Sequence, residues 1–144
     1  MSQPPCRVLV ADDDPTVRLL MQAALAPPEF KVTAVEDGLA AMAAFQSGTF
    51  DIVLLDIEMP ELNGYDTCRH FRTRPDHAET PVIFVSAHDS TPERVAAYEA
   101  GGDDFVTKPI AAHELNHKLR SAIEHRERVR ALTSESSTAQ QVAF

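Results

Sequence analysis

Short apolar, β-branched runs alternate with stretches of helical period along this chain, and the alternation repeats five times. Arg7–Ala11 is the first predicted strand. It runs into Asp12-Asp13-Asp14-Pro15, where Asp14 suits a helix N-cap and Pro15 its first turn. Val17, Leu20, Met21, Ala24 and Leu25 then recur at helical spacing until Pro27-Pro28. Phe30–Val35 alternates like a strand with one wet face, Asp37-Gly38 breaks it, and an alanine-rich helix follows through Phe45. Asp51–Leu55 is apolar on both faces, the mark of a central strand, and ends at Asp56. The loop 58–64 leads to a helix over Tyr65–Arg74. Pro81–Val85 is a fourth, buried strand ending at Ser86. Ser90 and Glu93 have capping-box spacing for a helix that closes at Gly101-Gly102. A short fifth strand, Asp104–Val106, ends at Lys108-Pro109, and a last helix spans Ala111–Leu132. The tail Thr133–Phe144 is polar, with no clear structural signal.

Such alternation predicts an α/β fold, a parallel sheet covered by helices on both faces, with ligands bound at the carboxyl ends of its strands. Four of the five strand ends carry chemistry: Asp12-Asp13, Asp56, Ser86 and Lys108. All converge on one rim. Crowded carboxylates repel unless protonated or bridged by a cation. A small hard dication such as magnesium, which takes one or two carboxylates and keeps several waters, suits Asp13 and Asp56. No His/Cys spacing suggests zinc. An aspartate is also a nucleophile toward phosphorus, Lys108 supplies a fixed cation for the transferring group, and the Ser86 hydroxyl can donate to a phosphoryl oxygen.

Composition narrows the partners. With 144 residues, 44% hydrophobic and 24% charged, the chain suits one soluble domain. A net charge of -9 disfavours nucleic acid and anionic membrane, and favours cations or a basic partner surface. No apolar stretch is long enough to span a bilayer, and Met1–Pro5 lacks a secretion-signal pattern, so the expected location is the cytoplasm. Cys6 and Cys68 read as ordinary reduced side chains.

The segments Val8–Asp14, Asp51–Pro60 with Asn63-Gly64, Val85-Ser86-Ala87 and Lys108-Pro109 together resemble the signature of response-regulator receiver domains, in that family's order and separations, over about Arg7 to Ile123. The resemblance implies a flavodoxin-like, doubly wound five-stranded sheet of order 2-1-3-4-5, with the receiver domain over 5–125. Residues 126–144 would then be a helical extension and polar tail, a linker to an output domain beyond this sequence. It implies a phosphorylation-dependent switch in a two-component phosphorelay: Asp56 accepts a phosphoryl group from a histidine kinase or phosphotransfer protein. Asp13 would ligate magnesium (or manganese) directly with Asp56 and the Glu58 backbone carbonyl, and Asp12 through water. The only catalysis implied is self-phosphorylation and self-dephosphorylation. The lysine–proline bond is typically cis in this family, which aims Lys108 into the site. Ser86 would move toward the phosphoryl group and the aromatic at Phe105 would turn inward, remodelling the face made by the fourth helix, fifth strand and fifth helix for an output partner or a second copy. Many relatives carry tyrosine there; with phenylalanine, packing alone carries the signal. Glu58 and His88, two residues beyond Asp56 and Ser86, either tune how fast water removes the phosphoryl group or are solvated loop residues.

Two other readings stand beside this one. A haloacid-dehalogenase-type phosphatase would use Asp12 as nucleophile, with Ser86 and Lys108 in its later motifs; but Asp103-Asp104 precedes Lys108, the reverse of that family's order, and Asp56 is left unexplained. A pseudo-receiver would be a binding module without phosphorylation, which the complete set of Asp12, Asp13, Asp56, Ser86 and Lys108 argues against. The stretch His125–Arg130 reads as a wet helix face.

Overall fold

The computed structural model describes residues 4–88 and 90–142, the stretch 133–142 by backbone alone. The elements run β1 (Cys6–Ala11), α1 (Pro15–Ala24), β2 (Phe30–Val35), α2 (Gly38–Ser47), β3 (Ile52–Asp56), α3 (Gly64–Arg72), a 3-10 turn (Pro75–His77), β4 (Val82–Ser86), α4 (Thr91–Glu99), β5 (Asp104–Thr107) and α5 (Ala112–Val142). The strands form one sheet of order β2-β1-β3-β4-β5, parallel throughout. The expected α/β topology is therefore observed.

Helix starts follow the capping residues. The Asp14 carboxylate accepts the Thr16 N–H at 2.9 Å, Asp37 that of Ala40 at 2.7 Å, Asn63 that of Asp66 at 2.9 Å, and the Ser90 hydroxyl that of Glu93 at 3.3 Å. α4 closes where Gly101 adopts φ 105°, a left-handed conformation that glycine reaches without strain.

The sheet buries two layers. Leu9, Ala11, Val53, Leu55, Val82 and Phe84 pack with α2, α3 and α4 through Ala41, Phe45, Cys68, Phe71 and Ala97. Val8, Val10, Ile52, Leu54, Ile83 and Val85 pack with α1 and α5 through Met21, Leu25, Leu115 and Leu119. β3 and β4 are buried on both faces, as their unbroken apolar runs require, while the edge strand β2 is half wet.

Two elements depart from expectation. α3 stops at Arg72, and Pro75 starts a separate 3-10 turn, because proline cannot continue the helix. α5 passes Leu132 and runs to Val142; residues 133–142 hold no glycine or proline to stop it, although they also offer no apolar stripe. Residues 143–144 of the predicted tail lie outside the described residues. Within 125–130 the side chains are exposed except Arg126, which is only 12% exposed and donates from Nη1 to the Asp51 carbonyl at 2.8 Å. Among the described residues, no helix is long and apolar enough to cross a membrane.

Candidate functional site

Strand order reverses between β1 and β3, and the crevice at their carboxyl ends is where this architecture places a site. β1 ends at Ala11, and the chain turns at Asp12, whose Oδ1 accepts the Asp14 N–H at 2.9 Å while the Arg18 Nη1 donates to its carbonyl at 2.7 Å. β3 ends on Asp56 itself. The loop after it folds back through a Gly64 N–H bond to the Ile57 carbonyl at 2.9 Å; a Cβ at Gly64 would collide with the Asp56 carbonyl. Lys108 arrives from the end of β5, with a cis peptide to Pro109 as expected and its N–H bonded to the Ser86 carbonyl at 2.7 Å.

These paths meet. Carboxylate oxygens of Asp12, Asp13 and Asp56 lie within 4.8 Å of one another; Asp12 and Asp56 are buried and Asp13 is exposed. The Lys108 ammonium stands 2.9 Å from Asp12 Oδ2 and 3.5 Å from Asp56 Oδ1. Asp12 Oδ2 is fully enclosed, and the Lys108 ammonium facing it is its main compensation. Burial, reinforced by Asp12 and Asp13 and only partly offset by Lys108 and the Glu58 N–H, pushes the Asp56 carboxyl up to about 7. Burial alone would depress Lys108, but hydrogen bonding to Asp12 and the charge of Asp56 outweigh it and hold its pKa above the usual lysine value.

The donor set fits a hard dication. Three carboxylates face one ammonium, oxygen ligands predominate, and the exposed Asp13 leaves room for bound water. It does not fit zinc, which wants nitrogen or sulfur.

At the end of β4 the Ser86 hydroxyl is committed elsewhere. It donates to Glu93 Oε2 on α4 at 3.0 Å and accepts the His88 N–H at 3.0 Å. Sequence reading assigned Glu93 only to a capping box; the Ser90 arm of that box forms, while the Glu93 carboxylate reaches Ser86. Phe105 lies buried on β5, and the Arg94 guanidinium covers its ring at 5.0 Å. Glu58 and His88 are both exposed, and their side chains approach to 3.7 Å. Tyr65, not singled out from the sequence, donates its hydroxyl to the Glu93 carbonyl at 3.3 Å. Cys6 and Cys68 are free thiols away from this rim; burial pushes them up to about 12 and about 11, which leaves them unreactive.

Comparison with known proteins points to one family. The family model for the response regulator receiver domain matches residues 8–120. Response regulator MprA of a Mycobacterium species (strain KMS) is 37% identical over 119 residues, covering 83% of this chain and 51% of that protein. Sensory transduction protein RegX3 of Mycobacterium tuberculosis (strain H37Rv) is 39% identical over 116 residues, 81% of this chain and 50% of that protein. The chain thus spans about half the length of the curated relatives it matches. Among solved structures, the receiver domain of the Pseudomonas aeruginosa sensor histidine kinase PA1611, described with a magnesium ion in its active-site cleft, has a TM-score of 0.77 at 28% identity and covers 83% of this chain and 98% of its own. Chemotaxis protein CheY4 of Vibrio cholerae shares the fold, with a TM-score of 0.79 at 23% identity over 82% of this chain and 98% of its own.

Proposed function

This chain belongs to the response regulator receiver domain family, and from that membership we propose that it is a cytoplasmic switch phosphorylated on Asp56 with magnesium bound beside it. The observation that carries the reading is the buried Asp56 carboxylate ringed by Asp12, Asp13 and Lys108.

Asp13, Asp56 and the Glu58 backbone carbonyl would hold the ion, with Asp12 acting through water. When bound, the cation neutralises carboxylate charge and the charge building on the transferring phosphoryl group. With a pKa near 7, Asp56 is partly protonated at neutral pH and a poor nucleophile; a neighbouring positive charge restores the carboxylate. An Asp56 oxygen forms the new bond to phosphorus as the donor's P–N bond breaks, and the electron pair leaves with the donor's imidazole nitrogen. Lys108, held by Asp12 at 2.9 Å, would pair with an equatorial phosphoryl oxygen. Ser86 supplies a hydrogen bond to another. Glu58 and His88, whose exposed side chains approach to 3.7 Å, would govern the approach of hydrolytic water.

The donor would be a histidine kinase or phosphotransfer protein. Output would run through the α4–β5–α5 face, where Val95 and Tyr98 are exposed, to a partner or a second copy. Asp12 is ill-suited as a phosphatase nucleophile: it is fully buried, with one oxygen bonded in the turn and the other facing Lys108.

The test is intact-mass analysis after incubation with acetyl phosphate. We expect one added phosphoryl group that requires magnesium and disappears with chelator or in Asp56→Asn. No adduct under any condition, together with no beryllofluoride binding, contradicts the proposal and leaves a binding module.

A further inference from the structure

A serine hydroxyl has one hydrogen to donate. In this chain Ser86 gives it to Glu93 Oε2 at 3.0 Å, with Ser86 itself almost fully buried. Asp56 pairs across the sheet with Val85, so Ser86 stands one residue further along the neighbouring strand. We propose that Glu93 is a positioning residue that competes with the phosphoryl group for the Ser86 hydrogen, making the first turn of α4 a latch released by phosphorylation. This rests on the reading of Asp56 as acceptor and Ser86 as its hydroxyl partner.

Three contacts gather on that turn. The Glu93 carboxylate takes the Ser86 hydroxyl, its carbonyl takes the Tyr65 hydroxyl at 3.3 Å, and the adjacent Arg94 lies over the Phe105 ring at 5.0 Å. Tyr65 in turn packs on Phe84 of β4, with ring centroids 5.5 Å apart. The turn therefore touches both switch residues at once, Ser86 through residue 93 and Phe105 through residue 94. When Ser86 donates to a phosphoryl oxygen, the half-buried Glu93 loses a partner, and a carboxylate without its donor is stabilised by moving toward water. That motion carries Arg94 off the Phe105 ring. Coupling of this kind is reciprocal: whatever weakens the Glu93 contact strengthens binding of the phosphoryl group or its mimic. With phenylalanine at 105 there is no ring hydroxyl to mark the state, and the latch provides a polar contact that does.

The experiment measures affinity for beryllofluoride in saturating magnesium, by calorimetry, for the unaltered chain, Glu93→Gln, Glu93→Ala, Ser86→Ala and the two double variants. Folding of each is checked by thermal unfolding, and the conservative Glu93→Gln remains if alanine unfolds the turn. The latch predicts roughly three- to tenfold tighter binding for Glu93→Ala, a smaller gain for Glu93→Gln, and near-loss of both gains when Ser86 is alanine. Equal gains with and without the serine hydroxyl would mean simple removal of a negative charge and would overturn the latch, as would no gain at all. If the unaltered chain binds no beryllofluoride and takes no phosphoryl group from acetyl phosphate, the acceptor reading falls and the latch with it.

Discussion

Asp56 illustrates how a single residue links stability to function. An unfolded aspartate titrates near 3.8, whereas burial and the neighbouring carboxylates put folded Asp56 near 7. Between those values the folded chain keeps a proton that the unfolded chain has released. The contribution is thus fully present below about pH 4, declines as pH rises through 7, and is absent above. Asparagine mimics the protonated side chain and escapes this loss. In chelator at pH 8, Asp56→Asn is expected to be more stable than the parent by on the order of 4 kcal/mol, and about equal to it near pH 4. Magnesium should raise the melting temperature of the parent and not of the variant. Denaturant titrations across pH, with and without magnesium, check both statements. The place of Asp56 in the candidate site was legible because it ends an apolar strand, where a carboxylate has no structural reason to be. The contact of Glu93 with Ser86 was not: seven positions separate them, and Glu93 already satisfied a local capping pattern. His77 was also missed. It is 1% exposed, stacked on Phe71 at 4.5 Å with both ring nitrogens unbonded, and burial lowers its pKa. Nothing in a polar turn sequence announces a buried histidine.

At the level of elements, one arginine ties the base of the domain together. Arg72, the last residue of α3, donates to the Gly101 carbonyl at 3.0 and 2.7 Å, to the His77 carbonyl at 3.1 Å, to the Ala78 carbonyl at 3.3 Å, and to the Thr80 carbonyl. It also pairs with Asp103 at 2.8 Å, and the same Asp103 oxygen accepts the Val82 N–H at 2.9 Å. The start of β4, the turn before it and the loop before β5 are all fastened to one planar fork. Arg72→Ala is expected to cost about 2–4 kcal/mol, and Arg72→Lys to recover little, since a point charge cannot serve carbonyls in several directions. Chemical denaturation measures it; an Arg72→Lys variant as stable as the parent would contradict the account. Helical periodicity placed Arg72 on α3 but could not name partners about 30 residues away in sequence. Pro75, by contrast, visibly limits α3, and the predicted helix overran it only in its last residues.

For the whole molecule, the topology was readable because each parallel strand is buried on both faces or beside a buried neighbour, so apolar runs and turn residues mark nearly every boundary. The site was readable because the sheet gathers strand ends on one rim, which makes Asp12, Asp13, Asp56, Ser86 and Lys108 neighbours in any fold of this class. The extent of α5 was not, since residues 133–142 neither stop a helix nor supply an apolar face to anchor one. The proposed site of phosphorus binding is Asp56. The most direct test is to phosphorylate the chain with acetyl phosphate and magnesium, reduce the acyl phosphate with borohydride, and sequence the peptides by mass spectrometry. Reduction of an aspartyl phosphate leaves homoserine, and the account predicts it at position 56 alone. Homoserine at position 12 or 13 instead, or at no position in a protein that has gained phosphate, would contradict it.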